Sequence, residues 1–144
     1  MLARYPAPIE VIPHNRSMSS RAEVIQRYRA YLEACNLRAW NELGSFLADP
    51  VLVNGVVRSR AEYVADVIRT TTVFPDYRWE LRRAIYEGEW LAVHLHDTGT
   101  RRGEFLGAPG DGSPVETDEF DMYRIVDGLI LEVEGTADNA RLCR

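Results

Sequence analysis

Two acidic residues near the end of the chain carry the first chemical signal. In the stretch DEFDMYRIVDGLILEVEGTAD, residues 118–138, Asp127-Gly128 is a type I′ turn signal between apolar-rich runs, so the stretch reads as a β-hairpin. Counting outward from a two-residue loop sets the register. Val126 then faces Leu129, Arg124 faces Leu131 and Met122 faces Val133 on one side of the ribbon. On the other side Ile125 meets Ile130, Tyr123 meets Glu132 and Asp121 meets Glu134. Opposed residues on antiparallel strands hold their Cβ atoms about 4.5–5.5 Å apart. Two carboxylates that close share a proton if buried, which raises one pKa, and merely repel each other if wet. The pattern admits both faces: Phe120, Met122, Val126, Leu129, Leu131 and Val133 form an apolar side, and the acidic side could be simple solvent.

A second set of polar residues lies upstream. His94 and His96 stand at i and i+2 of one strand and share a face with Arg83 and Trp90. Two histidines without a third ligand at telling spacing are a weak metal signal, so no metal is expected. They suit better the orientation of a substrate carbonyl, with His96 as an oxyanion donor or acid/base partner and His94, Arg83 and Trp90 as binding groups. A structural hydrogen-bonded pair is the plain alternative. Asn54 reads plainly as a strand-ending residue before Gly55, and Tyr123 shares the Asp121 face.

The elements that must position these groups follow from periodicity. Ser20-Arg21-Ala22-Glu23 is a capping box that opens a helix with Val24, Tyr28, Tyr31 and Leu32 as its apolar stripe. Asn36 opens a second helix, LRAWNELGSFL, that Asp49-Pro50 stops. VLVNG is a short strand, and Ser59-Arg60-Ala61-Glu62 caps a third helix that ends before Phe74-Pro75. From Tyr77 the apolar period changes from about 3.6 to 2. YRWELRRAIYE and WLAVHLHDTGT are strands joined at Gly88-Glu89, with Ile85 opposite Ala92, Arg83 opposite His94 and Leu81 opposite His96. Residues 103–114 read as a Gly/Pro-rich loop. Helices followed by an antiparallel sheet define an α+β fold.

Length and composition bound the rest. At 144 residues the chain is one domain's worth, with residues 1–18 an extended or disordered leader and the domain running from 19 to 144. The net charge of −5, with no basic cluster, argues against nucleic acid as a partner. Neither an apolar membrane span nor a signal-peptide core is apparent, and Cys35 and Cys143 are unpatterned, so a cytoplasmic protein with free thiols is expected.

Several motifs together resemble the SnoaL-like polyketide cyclases of the NTF2-like superfamily. DTGTRRGEFLGAPGDG at 97–112 is similar to that family's TGTH-x-G-x-F-x-G-x-P-x-x-G signature, and FDMYRIVDGLILE at 120–132 to its D-x-x-R-x-x-D-G-x-I-x-E. ADPVLVNG at 48–55 and FPDYRWEL at 74–81 extend the likeness. The resemblance implies an NTF2-like cone, with helices packed on a curved sheet around a deep apolar pocket, assembled as a homodimer or higher. It implies a cofactor-free cyclase that closes a ring of a polyketide-type intermediate by intramolecular aldol chemistry, with Asp121 as general acid/base, which turns the Asp121 face towards the pocket. The chain departs from the family pattern at Arg101, Asn54 and Glu134, where many members have His, His and Trp; the resemblance still places Asn54 among the pocket's polar groups, as a candidate for holding a substrate oxygen. A carboxylate-pair hydrolase or dehydratase, a cyclase acting by shape as in a cycloaddition, and a small-molecule binding module remain as alternatives.

Overall fold

A computed structural model describes residues 20–144; the leader expected at 1–18 lies outside the described residues. The order is α1 (Arg21–Asn36), α2 (Trp40–Leu43), a 3-10 turn (Gly44–Phe46), β1 (Leu47–Val53), β2 (Val56–Arg58), α3 (Arg60–Val73), β3 (Arg78–Glu87), β4 (Trp90–Thr100), β5 (Pro114–Val126), β6 (Leu129–Ala137) and α4 (Asn139–Leu142). The strands form one curved, unclosed six-stranded sheet in the order β2-β1-β6-β5-β4-β3. Strands β1 and β6 run parallel and every other pair antiparallel. The expected α+β architecture is present.

The first helix forms as its cap and stripe dictate. The Ser20 hydroxyl accepts from the Glu23 amide at 3.2 Å, and Val24, Tyr28, Tyr31, Leu32 and Cys35 are buried on one side. Its C-terminal end is fixed to the sheet by Asn36, whose amide exchanges two hydrogen bonds with the Trp79 backbone. At α3 both halves of the capping box are made: Glu62 N–H donates to the Ser59 hydroxyl and Ser59 N–H to the Glu62 carboxylate.

The expected second helix is cut short. Arg38 takes a left-handed backbone (φ 59°), and its guanidinium donates to the carbonyls of Cys35, Pro75 and Tyr77. Helical hydrogen bonding resumes only at Trp40 and yields to β1 at Leu47. Asp49-Pro50 therefore lies inside β1, in the irregular stretch between Leu47 and Leu52, where a proline's missing N–H is tolerated. The Asn54-Gly55 pair, both at positive φ, turns the chain into β2, a strand that the apolar pattern did not signal.

Two β-bulges decide which side chains face inward. In the β3–β4 hairpin Ile85 opposes Ala92 and Arg83 opposes His94, as counted from the turn. A register shift between Leu81 and Arg83 then brings Leu81 opposite Leu95 instead of His96. In the β5–β6 hairpin Val126 opposes Leu129 and Ile125 opposes Ile130. Beyond them a bulge shifts β6 by one residue, so that Arg124 opposes Glu132, Tyr123 opposes Val133, Met122 opposes Glu134 and Asp121 opposes Gly135. The expected Asp121–Glu134 pair does not form. One extra residue flips every later side chain to the other face. Here it buries Val133 beside Tyr123 and leaves Glu134 exposed, the arrangement that burial of an apolar side chain and solvation of a carboxylate both favour.

Candidate functional site

Alternation along β4 and β5 defines the site. On β5 the odd-numbered residues Val115, Thr117, Glu119, Asp121, Tyr123 and Ile125 point inward; on β4 so do Leu91, Val93, Leu95 and Asp97. Asp121 stands opposite Val93, Glu119 opposite Leu95, and Asp97 opposite Thr117. The inward face therefore carries three carboxyl groups in a row, with Glu119 between Asp97 and Asp121.

A cavity of about 400 Å³ lies over this face, within the range of small-molecule sites. Its walls come from α1, α3 and the sheet, and are largely aromatic: Tyr31, Tyr63, Phe74, Tyr77, Trp79 and Tyr123. The Tyr31 and Tyr63 hydroxyls hydrogen-bond each other at 2.7 Å. Glu119 and Asp121 open into the cavity, whereas Asp97 is sealed behind the lining. No arginine or histidine lines the cavity among the described residues. The third lining carboxylate, Asp66, is held at the wall by Arg58 at 2.8 Å.

Two of the three inward carboxyls accept a phenol hydrogen bond. Tyr123 donates to Asp121 Oδ2 at 3.3 Å, and Tyr77 to Asp97 Oδ2 at 3.0 Å. Asp121 is 5% exposed and Asp97 0%. Burial raises the Asp121 carboxyl above its ordinary range, against the hydrogen bonds from Glu119 and Tyr123 that favour its charge. Burial likewise raises Asp97. Glu119 is raised as well, by burial first and then by its two aspartate neighbours. The Cys35 thiol, which also lines the cavity, is pushed up by burial to about 12 and is not a thiolate nucleophile at neutral pH.

Of the residues expected from sequence, the structure brings Asp121 and Tyr123 to the cavity. Asn54 reaches its rim, but its side-chain amide is engaged at both ends by one residue: it donates to Gly135 O at 3.0 Å and accepts from Gly135 N at 2.9 Å. It fastens the end of β1 to β6. His94, His96, Arg83, Trp90 and Glu134 lie on the opposite, outer face of the sheet. There His94 Nε2 and His96 Nδ1 meet Asp118 Oδ1 at 2.9 and 3.3 Å, and Arg141 donates to Asp118 Oδ2 at 2.7 Å. Hydrogen bonds from His94, Arg141 and His96 hold the Asp118 carboxyl far below the usual range. This is the structural pair that the i, i+2 spacing also allowed. The deciding signal is parity: once Asp121 faces inward, its β4 neighbour is Val93, and His94 must face out.

Glu119 and Asp97 were not among the residues expected from sequence. Glu119 was legible as the i−2 neighbour of Asp121; Asp97 required the pairing of β4 with β5.

The sequence profile of the SnoaL-like polyketide cyclases matches residues 25–144. The chain belongs to this family. Solved structures agree with the assignment. A SnoaL-like polyketide cyclase from Agrobacterium tumefaciens is 27% identical, with a TM-score of 0.77 over 83% of this chain and 94% of that one. IdmH from Streptomyces antibioticus, a candidate polyketide cyclase, is 24% identical, with a TM-score of 0.75 over 83% and 94% of the two chains. AclR from Streptomyces galilaeus, a candidate hydroxylase, shares the fold at 22% identity and a TM-score of 0.75, over 85% of this chain and 94% of its own. No curated protein matches the chain by sequence. The family's TGTH-like signature spans the end of β4 and the loop that follows, which gives Phe105 to the cavity wall. There Arg101, 2% exposed, donates to the carbonyls of Pro109, Leu142 and Arg144, so that Leu142 of α4 is held as part of the wall.

Proposed function

We propose that this chain is an enzyme that closes a ring in a polyketide-type intermediate inside this cavity, with Asp121 as its general acid/base. The observation that carries the reading is one buried, hydrogen-bonded carboxyl opening into an aromatic-walled cavity of ligand size. An ionised Asp121 takes a proton from the carbon next to a substrate carbonyl. The resulting enolate carbon adds to a second carbonyl of the same molecule, and the proton returns to the new alkoxide. The sum is an isomerisation in which the enzyme ends as it began, and the cavity's own residues supply every group the step uses. The upward shift of the Asp121 carboxyl, caused by burial, suits the task, since a base works best when its pKa lies near the operating pH.

The test is turnover of a linear polyketide-type ester by wild type and Asp121→Asn. A positioned acid/base contributes about 10²–10⁴-fold, and a loss of that size is expected in the variant. Near-wild-type turnover would contradict the acid/base role and favour ring closure by shape alone.

A second reading is favoured by a specific observation, the two carboxyls Glu119 and Asp121 side by side in the cavity. Such a pair suits hydrolysis or dehydration, one group protonating and the other activating. Label from ¹⁸O-water appearing in the product separates hydrolysis from cyclisation.

The partners proposed are a small, largely apolar natural-product intermediate and a second copy of the chain. The outer sheet face exposes Ile85 (67%), Phe120 (62%) and Met122, a patch that association would cover. No described helix is long and apolar enough to cross a membrane. The unpaired cysteines fit the cytoplasm as the place where the enzyme works.

A further inference from the structure

The buried Asp97 has no part in a one-carboxylate mechanism, yet it is built with care. It is fully buried, one oxygen accepts a hydrogen bond from the Tyr77 phenol, and the other, Oδ1, receives no hydrogen bond from any amide, hydroxyl or guanidinium among the described residues. A buried acceptor left without a donor is costly. On the inward face its carboxyl neighbour is Glu119, one diagonal step away across the β4–β5 ladder, and Glu119 is in turn two residues from Asp121 on the same face of β5. A carboxylate is acceptor-only, so neighbours of this kind hydrogen-bond each other only when a carboxyl proton is present.

We propose that Asp97, Glu119 and Asp121 form one proton-holding row, in which Glu119 is the neutral acid, Asp121 the base, and Asp97 the positioning residue that keeps the proton on Glu119. This rests on the ring-closing reading above and adds a second catalytic residue to it. Asp121 removes the substrate α-proton while Glu119 gives its own to the alkoxide oxygen. The proton on Asp121 then crosses their shared hydrogen bond to Glu119, which restores both groups with no net gain or loss. Two residues acting on opposite ends of the reacting unit remove the need for one carboxyl to travel between a carbon and an oxygen.

The surroundings favour that distribution. Glu119 faces Asp97 and Asp121, the phenols of Tyr31, Tyr63, Tyr77 and Tyr123, the Cys35 thiol, and Asp66 in its pair with Arg58. None of these offers Glu119 a cation. Burial without a counter-charge, beside two carboxylates, keeps an acid neutral, and the Glu119 carboxyl is accordingly raised.

The test needs no substrate. In the free protein with ¹³C-labelled carboxyls, the Glu119 signal is followed by NMR from pH 3 to 9. The row predicts that Glu119 remains protonated at pH 7. In Asp97→Asn, which removes the neighbouring charge and keeps the shape, its titration midpoint falls by about one pH unit or more. Tyr77→Phe withdraws the donor to Asp97 and keeps every carboxyl. It reports the same coupling by moving the Glu119 midpoint, should the first variant fail to fold. A wild-type Glu119 that titrates near the ordinary glutamate value of about 4.3 overturns the proposal. So does a Glu119 midpoint unmoved in a folded variant. Either result leaves the Asp121 reading standing, because that is judged by Asp121→Asn turnover.

Discussion

Asp121 stands opposite Gly135 across the β5–β6 ribbon, and the absence of a side chain at Gly135 is what gives the carboxylate its room. A Cβ at Gly135 would run into Asp121 Oδ1 and the Phe120 carbonyl. Its backbone, at φ 151°, is also one that side chains rarely adopt. Asn54 holds the same residue from the other side with two hydrogen bonds. Gly135→Ala therefore combines strain with overpacking and is expected to cost roughly 2–4 kcal/mol. Urea unfolding measures it; a change below about 0.5 kcal/mol, as at an indifferent surface site, would mean that this close approach does not constrain Asp121.

The carboxyl row makes a prediction about pH. Asp97, Glu119 and Asp121 are all raised in the fold, so above about pH 4 the native state holds more protons than the unfolded chain. The stabilisation is complete below that pH and is lost as pH rises through the folded midpoints. Stability should decline between pH 5 and 8, by at most about 1.4 kcal/mol per pH unit for each group titrating. Asp118 acts in the opposite sense: its carboxyl is lowered, so its contribution is lost only as pH falls below about 4. Urea unfolding across the range, with Glu119→Gln as the variant that flattens the slope, checks the account. Stability that rises throughout pH 5–8 would contradict it.

Arg101 ties the loop after β4 to the C-terminal segment that carries Leu142 of the cavity wall. Removing its guanidinium in Arg101→Ala leaves the Pro109, Leu142 and Arg144 carbonyls without their donor. The loss is expected to be about 2–4 kcal/mol, since a buried group stripped of its partner costs about 1–3 kcal/mol. Amide hydrogen exchange should speed up first over residues 138–144, where α4 leans on Arg101. Unchanged protection there would contradict the tie.

The outer face predicts assembly. At micromolar concentration the chain should sediment as a dimer, and Phe120→Asp combined with Ile85→Asp should convert it to monomer without loss of fold. A wild-type monomer would remove the second copy from the account.

Much of the architecture was legible in the sequence because local chemistry wrote it. Ser20 and Ser59 with their glutamates set two helix starts, and the Gly88 and Asp127-Gly128 turns set two hairpins. The identity of Asp121 as the inward carboxylate came with the family motif. The partners of Asp121 were misread for one physical reason: counting outward from a tight turn assumes a ladder without bulges. The bulge past Ile130 exchanges Glu134 for Gly135 opposite Asp121 and carries Val133 inward. Nothing local to β6 announces it; the demand comes from the core, which has a place for Val133 and none for Glu134. The same blindness placed His94 and His96 in the pocket, since their facing depends on how β4 pairs with β5. The break after α1 was hidden because Leu43, Phe46 and Leu47 are buried whether that segment is a helix or, as found, a short turn leading into a strand.

The central claim is that Asp121 removes a proton from carbon inside this cavity. The most direct measurement is deuterium exchange in D₂O, by NMR, at the α-position of an aromatic ketone that lacks a second carbonyl and so cannot close a ring. Wild type should exchange that position faster than buffer alone. Asp121→Asn should not, while His96→Ala and Glu134→Gln, altered on the outer face, should exchange it as wild type does. Exchange that survives in Asp121→Asn, or that vanishes in His96→Ala, would contradict the account.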